Sequence, residues 1–187
     1  MANKNVLIAT FALASVAGLT MVLGKGGGRS MSAHLHKPVL EAGKSPDISL
    51  IEFKKGDQTL KLARGTDNIW YLGDAGSGKA AAATQVVRLL DDLTRARLDQ
   101  VVGSEKDGVV DYGLGTPTTV SLSAKDQTVA RVNLGIARSG GGQYVSVPED
   151  SSIYLTASMV QVNMDEGSWL APPPAPPPEA SKSEEKK

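Results

Sequence analysis

The stretch of this 187-residue chain most able to carry chemistry is Gly73-Asp74-Ala75-Gly76-Ser77-Gly78-Lys79-Ala80. A phosphate loop reads Gly, four residues, Gly-Lys, then Ser or Thr. Its main-chain N–H groups cradle phosphate and its closing hydroxyl holds the magnesium ion. Gly73 and Gly78-Lys79 have that spacing, but Ala80 has no hydroxyl. No later hydrophobic strand ends in a metal-binding Asp, and the flanking strands read as hairpins, not as a βαβ unit. The stretch therefore reads as a plain strand-to-helix loop. A nucleotide-dependent enzyme stays as the remote alternative.

Other candidate groups are scattered. His34 and His36 form a His-Leu-His array, able to give two metal ligands, but with no cysteine and few acids beside them. They read as part of a solvated linker. Ser121, Ser123 and Ser146 have no histidine in the surrounding folded text to activate them. Ser139-Gly140-Gly141-Gly142 joins two apparent strands with no helix after it, which is a hairpin turn and not a phosphate cradle. The carboxylates lie dispersed through turns, with no pair set apart as acid and base. No catalytic residue, cofactor or metal ligand is expected, and the chain is not read as an enzyme.

Composition narrows the classes further. Twenty Lys and Arg balance twenty Asp and Glu, so no long-range field draws the chain to nucleic acid. The absence of cysteine removes disulfides, thiolate metal sites and cysteine nucleophiles together. Aromatic residues make up only 4% of the chain, so Val, Leu, Ile and Ala must fill most of the core.

Four segments position whatever function there is. Val6 to Leu23 is uncharged and apolar. As a helix it would span roughly 27 Å, just enough for a hydrocarbon core of about 30 Å. Residues 1–24 are therefore expected to be a transmembrane anchor, with a cleaved signal peptide (Ser15-Val16-Ala17 before Gly18) as the rival. Residues 25–45, with their glycines and Pro38, read as a flexible tether. Residues 46–170 read as one domain. Residues 171–187 read as a proline-rich and charged disordered tail, in which Pro172–Pro178 should form a polyproline II rod. That rod is either a ligand for a partner domain or a stiff spacer.

Within the domain, Ile51 and Phe53 alternate with polar residues up to a Gly56-Asp57 turn, and Leu60 and Leu62 alternate after it, which reads as a β-hairpin. Trp70 should anchor the core from a short strand. Ala80 to Leu98 is the main helix: Val86, Leu89, Leu90, Leu93 and Ala96 form one stripe. On the polar face Asp91 and Arg95 are spaced as an i,i+4 pair. Val101-Val102 and Val109-Val110 flank a polar connection. Val120, Leu122 and Ala124, then Ala130, Val132 and Leu134, form a second hairpin around Lys125-Asp126, whose text resembles the first turn. Tyr144-Val145 and Ile153-Tyr154-Leu155 return, and Thr156 to Met164 reads as a short helix. Between the halves lies Asp111-Tyr112-Gly113-Leu114-Gly115-Thr116-Pro117, a shaped connection. Its Leu114 is expected to dock into the core beside the helix stripe.

In order and spacing, several of these residues form one series: Ile51 and Phe53, Trp70, the Val86–Leu93 helix, Tyr112-Gly113-Leu114 with Pro117, Leu134-Gly135, and Tyr144-Val145. That series resembles the bacterial family called domain of unknown function 4340, over about Pro46 to Leu170. The resemblance implies an extracytoplasmic α+β domain behind an amino-terminal span, akin to proteins found beside ABC-transporter and gliding-motility auxiliary subunits. It carries over no catalytic residues. Gly73 stands where many members have a proline, and this chain has one unit where larger members have more. By charge count alone the flank holding Lys25, Arg29 and Lys37 should stay cytoplasmic; the resemblance decides for export.

The combined expectation is an α+β fold: an antiparallel, hairpin-rich sheet packed with one main amphipathic helix behind an N-terminal transmembrane helix. It would sit as a single-pass protein of the bacterial inner membrane, with the domain on the periplasmic side. There it would serve as a non-enzymatic accessory or interaction domain for a protein partner in the envelope. An alternative is an envelope module that binds glycan or peptide on a stacking surface of Tyr144, Tyr154 and Trp169.

Overall fold

The computed structural model describes residues 34–172 apart from Ser77 and Glu149. The expected span at Val6–Leu23 and the proline-rich tail beyond Pro172 lie outside the described residues. Among the described residues no helix is long and apolar enough to cross a membrane.

Nine strands form one sheet: β1 (Leu50–Lys55), β2 (Gln58–Arg64), β3 (Trp70–Leu72), β4 (Lys79–Ala80), β5 (Gln100–Ser104), β6 (Thr118–Ala124), β7 (Gln127–Ala137), β8 (Gln143–Ser146) and β9 (Ser152–Thr156). Their order is β4-β3-β2-β1-β6-β7-β8-β9-β5, and every neighbouring pair is antiparallel. Among the described residues one helix of ordinary length, α1 (Ala83–Arg95), lies between β4 and β5 in sequence. This is the expected α+β architecture of a hairpin-rich antiparallel sheet with one main helix.

The inward residues of the central strands, Ile51, Phe53, Leu62, Val120, Leu122 and Val132, are buried in one cluster with Val86, Leu89, Leu90 and Leu93 of α1. The period of two along the strands and the stripe on the helix meet across this face. The opposite face is polar over β2, β1, β6 and β7. There Lys61, Glu52, Ser121 and Arg131 stand in one cross-strand row. Lys61 pairs with Glu52 at 3.8 Å, and Arg131 Nε donates to Ser121 Oγ at 3.2 Å.

The two hairpin turns share sequence but not backbone. At Gly56-Asp57 only the first residue has a positive φ, 56°, the pattern of a II′ turn. At Lys125-Asp126 both do, at 49° and 64°, as a I′ turn requires. Glycine can take the first position without steric cost, whereas Lys125 and Asp126 are held there by the strands they join.

Several expectations give way. The helix runs over Ala83–Arg95, not Ala80–Leu98. At its start Ala82 has no side chain able to cap, and the Ala82 N–H is instead bound by the Trp169 carbonyl at 2.7 Å. Beyond its end Ala96 and Leu98 remain buried in extended chain. There the 36–40 segment pairs with them: the N–H groups of His36, Val39 and Leu40 donate to the carbonyls of Leu98, Ala96 and Leu93. Leu40 and Ile48 are buried in the same core. Residues 36–45, expected as tether, are thus part of the folded unit, which begins at Leu35. Thr156 ends β9, and no helix follows until a short 3-10 turn at Glu166–Trp169. Val160 is buried and Met159 exposed on what is instead an irregular extended segment. Asp91 and Arg95 form no ion pair; the pairs among the described residues are Lys44–Glu41 and Lys61–Glu52. Both belong to solvent, where holding two long side chains together costs about what the pair returns.

Candidate functional site

The Gly73–Ala80 stretch does not lead from a strand into a helix. Lys79 and Ala80 form β4, paired antiparallel with Leu72 and Tyr71, and α1 starts only at Ala83. A phosphate loop needs its glycines and lysine at a helix N-terminus, where the unpaired N–H groups converge. Here Lys79 is in a strand that forms one edge of the sheet, and the loop before it folds back as a hairpin.

The Tyr112 connection is a packed element. Val110–Tyr112 make a 3-10 turn, and Gly113, at φ 69°, closes it with its N–H on the Val110 carbonyl. The Leu114 N–H donates to the Val109 carbonyl. Tyr112 lays its ring edge-on to Tyr144, centroids 5.0 Å apart, and its hydroxyl donates to the Val102 carbonyl at 3.3 Å. A Cβ on Gly135 would stand 2.2 Å from the Tyr112 carbonyl oxygen and 3.2 Å from Leu114 Cγ. A Cβ on Gly103 would stand 2.9 Å from the Tyr112 hydroxyl. Glycine at 103 and 135 is what lets the connection lie against β5 and β7.

Leu114 is only 7% exposed, so the expectation of burial holds. Its place does not. Leu134 belongs to the cluster under α1, while Leu114 is outside that cluster and lies against Gly135. Adjacent strand residues point to opposite faces, so Leu114 docks on the face away from the helix. Of the residues singled out in the sequence, Tyr112, Gly113, Leu114, Gly135 and Tyr144 converge here. Pro117 leads into β6, Leu134 faces the helix, and Trp70 is buried at β3, toward the far end of the sheet.

On the helix side a cavity of about 750 Å³ opens between α1, the β6–β7–β8 end of the sheet and the Met159–Asn163 segment. This size is within the roughly 300–1,000 Å³ usual for ligand pockets. Gln85, Arg88 and Asp92 of α1 form one wall, and Thr118 and Leu134 part of another. Gln143 ties the site together: its Nε2 donates to the Gly135 carbonyl at 3.1 Å, and its Oε1 accepts from the Val160 N–H at 3.0 Å. A buried amide with both ends satisfied fixes its neighbours instead of destabilising them. Further on, Trp169 Nε1 donates to the Asn163 carbonyl at 2.7 Å, and its ring stacks on Phe53 with centroids 5.1 Å apart. The segment is thus pinned near both ends, and Gln161 and Val162 between the pins hydrogen-bond to no other described residue. Arg88 and Asp92 likewise make no ion pair with any described residue. The lining offers amide side chains and one charge of each sign, which suits binding by hydrogen bonds and charge. Gln143 escaped the sequence reading; an amide at an inward strand position was its one signal.

The proposed stacking surface does not form. Tyr154 is fully buried and Trp169 only 5% exposed; Tyr144 alone keeps part of its ring open, already engaged with Tyr112. Burial, and the hydrogen bond its hydroxyl donates to Asp150, push the Tyr154 phenol up to about 12. Among the described residues no group of three His, Cys, Asp or Glu could hold a metal ion.

No curated protein and no solved structure matches the chain. A family match covers residues 70–175, more than half of the sequence and every strand from β3 onward. It takes in α1, the Tyr112 connection, Gly135 and all the walls of the cavity, and on that match the chain belongs to the family described as domain of unknown function (DUF4340).

Proposed function

We propose that this protein is a non-enzymatic accessory or interaction domain, held by the Val6–Leu23 span at the outer face of a bacterial inner membrane, where it engages a protein partner of the envelope. The observation that supports this reading most is the cavity beside α1. Its walls include Gln161 and Val162, which hydrogen-bond to no other described residue, and Arg88 and Asp92, a set suited to holding a partner by hydrogen bonds and charge. The apolar, uncharged Val6–Leu23 run and the kinship implied by the sequence resemblance support placement beside an ABC-transporter-like or other envelope assembly.

A paired experiment tests it in cells. A reporter active only outside the cytoplasm, fused after Lys187, should be active. A photo-crosslinking residue at Gln161 should capture a discrete envelope protein that the same residue at Lys125, on a distant hairpin turn, does not. Activity of a cytoplasm-only reporter would overturn the location, and equal capture at both positions would overturn the role given to the cavity.

A further inference from the structure

Residues 159–164 have the period of a strand but no ladder. Val160 is buried in the core, Val162 and Met164 pack against it, and Met159, Gln161 and Asn163 are exposed. That alternation is the pattern of an extended chain laid on a core. Yet the run pairs with no strand of the sheet. Of its main-chain groups only the Val160 N–H and the Asn163 carbonyl are bound among the described residues, both by side chains, those of Gln143 and Trp169. An unpaired strand is a template for another extended chain.

The cavity beside α1 is where such a chain would lie. Met159, Val160, Gln161, Val162 and Asn163 all line it, although their side chains alternate between core and solvent. Side chains on opposite sides cannot all face one space, so the run borders the cavity along its backbone. On the wall formed by α1 stand Arg88 and Asp92, neither in an ion pair with a described residue. Four residues of helix rise about 6 Å. Alternate side chains on one face of a strand are roughly 7 Å apart. An extended chain with an acidic and a basic residue two positions apart would set the acid against Arg88 and the base against Asp92.

The chain's own proline-rich segment follows close behind Trp169 of the cavity wall, but it is the wrong polymer for a ladder. Six of the seven residues in 172–178 are proline and have no N–H to give. A second copy has no free sheet edge to offer: β4 is held by the Ala171 N–H, and on β5 the Val102 carbonyl is taken by the Tyr112 hydroxyl. Its own residues 159–164 border a cavity, and two concave walls do not fit one another.

We propose that residues 159–164 receive an extended, proline-free segment of a protein partner as an added strand, and that Arg88 and Asp92 select an acid and a base two positions apart in it. The inference rests on the reading of the cavity as a partner's site and adds how the partner is held.

A library of random peptides of about eight residues, long enough to span the run, tests it on the purified full chain in mild detergent. Selected peptides should bind saturably, lack proline at their centres and carry acid and base two positions apart. Alternate residues of a strand direct their N–H groups to the same edge. N-methylation of one alternate set should therefore weaken binding about tenfold or more, and of the other set much less. Arg88→Glu, at an exposed helix position, should weaken the same peptides, and exchanging the peptide's acid for lysine should restore them. Peptides that tolerate N-methylation of either set would overturn the proposal. So would a library without binders, which would leave the cavity to the chain's own ends or to a second copy. Failure here beside continued crosslinking at Gln161 in cells would sink the added strand and keep the partner; loss of both would sink both.

Discussion

Gly135→Ala is the most direct probe of how the Tyr112 connection is seated. Gly135 does not have a positive φ, so alanine has no backbone penalty of its own there. The cost comes wholly from what the new methyl would meet. Its Cβ would stand 2.2 Å from the Tyr112 carbonyl oxygen, 3.0 Å from the Tyr144 carbonyl oxygen and 3.2 Å from Leu114 Cγ. Ordinary contact begins near 3.4 Å on the same scale, so the nearest neighbour must retreat by more than an ångström. That neighbour is main chain on a turn already closed by its own hydrogen bonds, and cannot swing aside as a side chain would. Overpacking typically costs about 1–3 kcal/mol, and a clash with main chain belongs at the upper end, about 3 kcal/mol. Against a total of about 5–15 kcal/mol this is a large fraction. Urea unfolding of residues 34–172, followed by tryptophan fluorescence, should show a clearly lowered midpoint with an unchanged slope. Gly43→Ala is the control: nothing lies within 4 Å of its Cβ position, and its midpoint should stay within about 0.5 kcal/mol of the parent. Coincident curves for the two variants would refute the seating of the connection on β7.

Leu114→Ala should cost about 2–5 kcal/mol in the same unfolding assay, because it empties a buried site, whereas Val110→Ala, largely in solvent, should fall within about 0.5 kcal/mol of the parent. Asp126→Gly should stabilise the β6–β7 hairpin by roughly 0.5–1 kcal/mol, since Asp126 holds a φ of 64° that glycine adopts freely; a lowered melting temperature would contradict the I′ turn. Tyr154 has its folded pKa raised from 10.0 to about 12. Its contribution is therefore intact below pH 10 and falls as pH rises toward 12, where the unfolded chain releases the proton first. The stability gap between the parent and Tyr154→Phe should be flat below that window and shrink across it; a gap that widens with pH would reverse the assignment.

The elements that depend on neighbours in sequence were legible. Ile51 and Phe53, Leu60 and Leu62, and Val120 and Leu122 alternate around two-residue turns, and the α1 stripe has helical spacing, so strand pairing and the buried helix face follow from period alone. Face is less readable than period. Alternation says that one side of a strand is apolar, but Ile153 and Tyr154 are both buried, because β9 is covered on two sides. Nothing near Leu114 in sequence shows which side covers it; that depends on the absence of a side chain at Gly135, on a strand formed later. Trp169 follows Glu166-Gly167-Ser168, text with no periodicity, and its partner Phe53 lies in the first strand. The role of Gln143 is non-local in the same way, since Gly135 and Val160 come together only in the folded chain. Where α1 ends was obscured for the opposite reason: Ala96 and Leu98 continue the apolar pattern, but they are buried by an extended segment from residues 36–40 and not by another helical turn.

The pairing of Trp169 and Ala171 with the residues just before α1 bears on the order in which the domain can be completed. Phe53 is made early and its stacking partner late, so β1 and the first turn of α1 wait uncovered until residues 169–171 have emerged from the ribosome. Such widely separated contacts form slowly, since the chain loses the entropy of the long loop before the contact repays it. During that interval an apolar ring, the Ala82 N–H and the Ala80 carbonyl are open to water, to proteases and to any holding chaperone. Quality control of this protein is therefore concentrated at its last folded turn. A defect at Trp169 would leave most of the sheet hydrogen-bonded, yet present the cell with a domain that has not closed.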